Sequence, residues 1–131
     1  MPHITVDCTA QVRDRLTRRA FTERLNALVV GAVDSAGTCK IFLRAATETF
    51  VVGGSGGGAF VHVDIGLLAG RTEEQKGRLS EAVLSLLDEL LGADGGGEPV
   101  LSVEVRDLAP SYRLSRGGRR MSLPVPAGAV G

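Results

Sequence analysis

Residues 3–8 (His3, Ile4, Thr5, Val6, Asp7, Cys8) alternate polar and apolar, the period of a strand with one buried face. From Val12 the rhythm changes. Val12, Leu16, Ala20, Phe21, Leu25, Leu28 and Val29 recur mostly at three- and four-residue spacings, which stacks them on one side of a helix. Arg13, Asp14, Arg18, Arg19, Glu23 and Arg24 occupy much of the rest, and Gly31 is the expected stop. A second strand is predicted at about residues 40–46, continuing or turning back through 47–52. The glycine-rich run 53–58 reads as a turn or connector, because so many glycines carry too much backbone entropy for a strand or helix. It is no phosphate cradle: neither a GxxxxGK[ST] motif nor a helix start follows.

After that run the same order returns. Residues 60–67 form a predicted strand with Val61, Val63, Ile65 and Leu67 on one face and His62 and Asp64 on the other. Thr72 followed by Gln75 is a capping-box signature and places the start of the second helix. Leu79, Ala82, Val83, Leu86, Leu87, Leu90 and Leu91 form its apolar stripe. Gly92 ends it, and Gly95, Gly96 and Gly97 reinforce the break. A last strand is predicted at about 100–105, with Leu101, Val103 and Val105 facing one way.

The halves match in detail: Val6-Asp7 aligns with Val63-Asp64, and Phe21, Leu25, Leu28 and Val29 with Leu79, Val83, Leu86 and Leu87. A duplicated strand–helix–strand unit accounts for this. Each helix is long enough for a right-handed parallel crossover. The expected fold is α+β, one four-stranded mixed sheet with two helices on one face. Ile41-Phe42-Leu43 is then apolar on both faces, and Phe60 opposes the Val61 face. Such a patch predicts an oligomer that packs through the open sheet face. From Ala109-Pro110-Ser111-Tyr112 the pattern lapses into an irregular segment with Arg113, Arg116, Arg119 and Arg120, and residues 113–131 read as a flexible tail.

Composition narrows the function. The 131 residues fit one domain with a real core. Fifteen basic and fifteen acidic side chains, one Tyr and no Trp argue against nucleic-acid binding, which needs a basic face and stacking rings. No stretch has the length of a membrane span and the N-terminus has no signal-type core, so a cytoplasmic location is expected. Cys8 and Cys39 are far apart without CxxC spacing and read as buried reduced thiols. With His3 and His62 they make no convincing zinc site. On the residues alone, Pro2 reads as the first residue of an edge strand, where a missing N–H costs nothing.

The opening Pro2-His3-Ile4-Thr5-Val6-Asp7-Cys8 resembles that of 5-carboxymethyl-2-hydroxymuconate isomerases, members of the tautomerase superfamily. So does Ala59-Phe60-Val61-His62-Val63, followed by Ala69-Gly70-Arg71-Thr72. The likeness runs over about residues 2–110 and agrees with the duplication, giving repeats at about 2–52 and 59–108 in a tautomerase-like domain of residues 1–112. It implies removal of Met1 and a catalytic secondary amine at Pro2, with Arg44 and Arg71 holding carboxylate and enolate charge. It further implies a homotrimer, a small carboxylate substrate from aromatic catabolism, and no metal or organic cofactor. The second repeat has Ala59 in place of Pro2 and no arginine within residues 101–105, so only the first unit is expected to supply the amine, and His62 and Asp64 are read as structural. The glycine-rich loop and the arginine-bearing tail depart from the family pattern and leave the substrate open. A non-catalytic oligomeric binding protein that keeps the fold is the competing reading.

Overall fold

Strand β1 (His3–Cys8) buries Ile4, Val6 and Cys8 and turns His3, Thr5 and Asp7 the other way, as its alternation requires. In the computed structural model, which describes residues 2–33, 39–53, 58–92 and 99–123, β1 lies inside a four-stranded sheet of order β2-β1-β3-β4. Strands β2 (Lys40–Ala45) and β1 are parallel, as are β3 (Phe60–Leu67) and β4 (Val100–Asp107). The central pair β1 and β3 is antiparallel. The duplication is visible in the backbone: Lys40 N–H donates to the Pro2 carbonyl at 3.1 Å, and Val100 N–H to the Ala59 carbonyl at 3.0 Å.

One sheet face carries the core. Ile4, Val6, Val61, Val63 and Ile65 are fully buried, in one cluster with Phe21, Leu25 and Val29 and with Leu79, Val83, Leu86, Leu87 and Leu91. The first set lies on α2 (Arg19–Ala32) and the second on α3 (Glu73–Leu91), so both long helices cover the same side. Each such side chain contributes about 1.5–3 kcal/mol by leaving water. Helix α3 begins as its sequence dictates: Thr72 Oγ1 accepts from Gln75 N–H and Gln75 Oε1 accepts from Thr72 N–H. Gly92 caps its other end.

The first helix differs from the prediction. A 3-10 turn (Ala10–Val12) leads into a short helix α1 (Arg13–Leu16), and the chain breaks before α2 begins at Arg19. Arg18 is extended (ψ 138°), which rotates the phase of α2 relative to α1. Ala20, placed on the buried stripe by periodicity, is therefore exposed, while Phe21, Leu25 and Val29 keep theirs. The helix also runs past Gly31 to Ala32. The stretch 47–52 forms no strand, and Phe50 and Val52 are 80% and 94% exposed.

Two further expectations change. Pro2 begins an interior strand, not an edge strand; as the first residue it still needs no N–H. Residues 113–123, expected as part of a flexible tail, include a two-stranded hairpin, β5 (Ser115–Arg116) and β6 (Arg119–Arg120). Its two-residue turn, Gly117 and Gly118, has φ of 54° and 84°, a pairing that suits hairpin twist and that side chains resist. Of the glycine-rich run, Gly53 and Gly58 are described and both take positive φ. Met1, residues 54–57, the Gly95–Gly97 break and residues 124–131 lie outside the described residues.

Candidate active site

Pro2 is buried at the start of β1, on the same face as Ile4 and Val6. The antiparallel register, His3 opposite Gly66, places Pro2 level with Leu67 at the end of β3. Arg71 belongs to the same end of the sheet. Its Nη1 donates to the Leu68 carbonyl at 3.0 Å and its Nη2 to the Val33 carbonyl at 2.9 Å. The guanidinium thus ties the end of α2 to the loop that leads into α3. Pro2 and Arg71 are brought to one end of the sheet, with Arg71's two terminal nitrogens already bonded.

Arg44 is elsewhere. It sits opposite Asp7 on β2 and grips that carboxylate in two-point fashion, Nε to Oδ1 at 2.8 Å and Nη2 to Oδ2 at 3.0 Å. The fork holds the Asp7 carboxyl below its usual range. Five residues of strand separate Arg44 from the Pro2 level, about 16 Å at the usual strand rise. Within one chain, Arg44 and Pro2 cannot grip one small molecule. Arg44 is instead part of a row across the open face: Arg44, Asp7, His62 and Ser102. His62 Nδ1 and Ser102 Oγ are 2.7 Å apart. Asp64 likewise accepts from Arg106 Nε at 2.9 Å. The open face is therefore more polar than Phe42 and Phe60 suggested; Phe42 and Val100 are exposed apolar residues on it, and Phe60 is half-buried beside Val100.

The parallel row beside Pro2 was not legible in the sequence. Lys40, His3, Gly66 and Arg106 lie side by side across all four strands. His3 Nε2 is 2.9 Å from the Tyr112 hydroxyl, and the two rings meet edge to face with centroids 5.3 Å apart. Gly66 makes room for Leu108: a Cβ there would stand 2.7 Å from Leu108 Cδ2. Leu108 N–H bonds the Leu67 carbonyl and extends the β3–β4 pairing, and the His3–Tyr112 contact brings the chain that follows over the open face at the Pro2 end. Burial, then the Lys40 charge, lowers the His3 pKa below its ordinary 6.5, and Arg106 adds to the effect. Both effects favour the neutral imidazole.

Arg106 falls one residue beyond the predicted end of the last strand, and Tyr112 stands in a segment that reads as irregular. Both depend on strand register, which single-chain periodicity does not supply. Cys8 and Cys39 are free thiols, and burial raises the pKa of each. Among the described residues no group of three or more His, Cys, Asp or Glu side chains is placed to hold a metal ion. At the Pro2 end the covered face begins with a buried imino-acid residue, and the open face carries a row with positive charge, an imidazole and a phenol.

The model of the 5-carboxymethyl-2-hydroxymuconate isomerase family matches residues 2–118. Among solved structures, the chain is similar to a 5-carboxymethyl-2-hydroxymuconate isomerase from Deinococcus radiodurans R1, with 22% identity, TM-score 0.73 and 88% of each chain covered. It is similar to a 5-carboxymethyl-2-hydroxymuconate delta-isomerase at 20% identity and TM-score 0.68, over 89% of each chain. A fused 4-OT symmetric trimer shares 26% identity and TM-score 0.59, over 81% of this chain and 85% of that one. No curated protein matches the chain in sequence.

Proposed function

We propose, from the premise that the chain belongs to the 5-carboxymethyl-2-hydroxymuconate isomerase family, that it is an isomerase of the tautomerase type. Its substrate is an unsaturated 2-hydroxy or 2-oxo carboxylic acid, and Pro2 is the base. The observation that carries the reading is the burial of Pro2 at the start of β1, at the end of the sheet to which Arg71 also belongs.

Removal of Met1 turns the Pro2 nitrogen from an amide into a secondary amine. Burial and nearby positive charge disfavour its ammonium form, which leaves a lone pair to take a proton near pH 7. In the forward direction the amine removes the 2-hydroxyl proton of a dienol. The electron pair shifts along the conjugated chain, and the ammonium returns the proton to carbon. No atom is gained or lost, so neither metal nor organic cofactor has a step to perform. The charge that develops on oxygen is met by cationic side chains.

Arg71 and Arg44 divide by position. Arg71 lies at the Pro2 end and can exchange a carbonyl for a substrate carboxylate. Arg44 reaches a Pro2 amine only from a neighbouring copy, and a symmetric trimer with sites at subunit boundaries provides that arrangement. The fused 4-OT relative, a symmetric trimer, supports this assembly. The competing reading, a binding protein without chemistry, separates from this one by turnover. Loss of 2-hydroxymuconate absorbance should be fast with the native chain and reduced at least a hundredfold in Pro2→Ala. No turnover by the native chain would favour the binding protein.

A further inference from the structure

Beyond Leu108 the chain bonds mainly to itself. Tyr112 N–H donates to the Ala109 carbonyl at 2.9 Å, and Arg113 Nη1 donates to the carbonyls of Pro110 and Tyr112 at 3.0 and 2.9 Å. Met121 N–H donates to the Leu114 carbonyl at 2.8 Å, just outside the β5–β6 pair. Among the described residues, one hydrogen bond joins residues 109–123 to the sheet, that between the Tyr112 hydroxyl and His3 Nε2. Leu108, seated against Gly66 and bonded to Leu67, is the fixed point from which the segment leaves.

That single clasp depends on charge. A neutral His3 takes the phenol's proton at Nε2, and a proton on Nε2 removes the acceptor. The charged groups that act on the ring are positive: Lys40 on β2, Arg106 on β4 and the amino terminus. From β3 the ring faces Gly66, and Asp64, two residues along on the same face, is already held by Arg106 Nε. The segment itself carries Arg113, Arg116, Arg119 and Arg120 and no acidic residue, so an imidazolium finds no counter-charge there. Closing the clasp takes water from the ring, and a desolvated ring resists a proton. By linkage, acid then favours the open form.

We propose that residues 109–123 are a strap, that the His3–Tyr112 pair is its clasp, and that protonation of His3 releases it from the open face. Release frees the arginine-bearing hairpin while the four-stranded sheet stays folded. Pro2 lies on the covered face, so the strap stands whether or not Pro2 is a base.

Tyr112 is the one tyrosine and the chain has no tryptophan, so the tyrosine band in near-UV circular dichroism reports the clasp. Acidification from about pH 7 to about pH 4.5 should remove most of that band while the far-UV signal holds. His3→Gln, whose amide oxygen accepts from the phenol but takes no proton, should keep the band at the lower pH. Lys40→Met removes a positive neighbour, and its transition should move to higher pH. Lys40 is an exposed side chain, so this variant reads the clasp even if His3→Gln fails to fold. A native band that ignores pH, or that fades together with the far-UV signal, would overturn the proposal. So would a band that fades in His3→Gln as in the native chain, or an unmoved transition in Lys40→Met.

Discussion

The two repeats share their strand pairing and differ in the side chains at their starts. At the start of the first stand Pro2 and His3, with Lys40 beside them; at the start of the second stand Ala59 and Phe60, with Val100 beside them. The central strands run antiparallel, so these starts lie at opposite ends of the sheet. Gly66 faces His3 at one end, and Thr9, its counterpart in the duplication, faces Phe60 at the other. Thr9 is fully buried and its hydroxyl accepts from Phe60 N–H at 3.3 Å, which closes that end with the chain's own atoms. Gly66 leaves room for Leu108 at its end, where His3 meets Tyr112. The two ends of a duplicated scaffold thus differ: one is polar and cationic, the other is sealed. The difference lies in a few side chains, since the leading hydrogen bond of each unit is the same to within 0.1 Å (3.1 and 3.0 Å).

The largest test of this asymmetry is at the starting residues. Pro2→Ala should lower turnover of 2-hydroxymuconate about a hundredfold or more, while Ala59→Gly should leave it within about twofold. Equal losses would mean that neither start is special.

Arg71 has no partner of its kind in the first unit, and Arg71→Ala should cost about 1–3 kcal/mol in urea unfolding by leaving the Val33 and Leu68 carbonyls without their donor. Arg44→Ala should leave stability almost unchanged, because the Asp7 pair is exposed and screened by solvent. A tenfold drop in turnover with that small loss of stability would mark Arg44 as a member of a shared site.

Gly66→Ala forces the Leu108 methyl group to move and should destabilise by about 1 kcal/mol. It should also weaken the Tyr112–His3 contact, seen as a shift of the His3 ring signals by NMR. Thr9→Ala at the sealed end should leave those signals unmoved.

The smallest effect is in pH. Because the folded His3 pKa is lowered, the unfolded chain binds the proton more readily. The contribution of His3 is fully present above about pH 6.5 and is lost as pH falls through the lower, folded value. His3→Gln should flatten that part of the stability curve, and Phe60 at the other end contributes no such slope.

Much of the scaffold is readable from residues, and the reasons are local. The alternation of Ile4, Val6 and Cys8, the Thr72–Gln75 capping box and the Leu79–Leu91 stripe each set their own structure within a few positions. The break before Arg19 was hidden because apolar spacing continues across it, and only the extended Arg18 reveals the change of phase. The Gly117-Gly118 hairpin had a signal, two glycines between short polar arms, that the arginine-rich context obscured. Pro2 came from resemblance, since periodicity gave it only a strand start. Lys40, Arg106 and Tyr112 could not be assembled from pattern: they meet His3 through pairings that span 37 to 109 residues of chain. For Arg44 the residue type was legible and its place was not, because sequence does not show which end of a strand faces the site.

The decisive measurement is the intact mass of an active preparation. A catalytic amine at Pro2 requires a species lacking Met1 that turns over 2-hydroxymuconate. A full-length species with Met1 in place and equal turnover would contradict it, because Pro2 would then be an amide with no lone pair to take a proton.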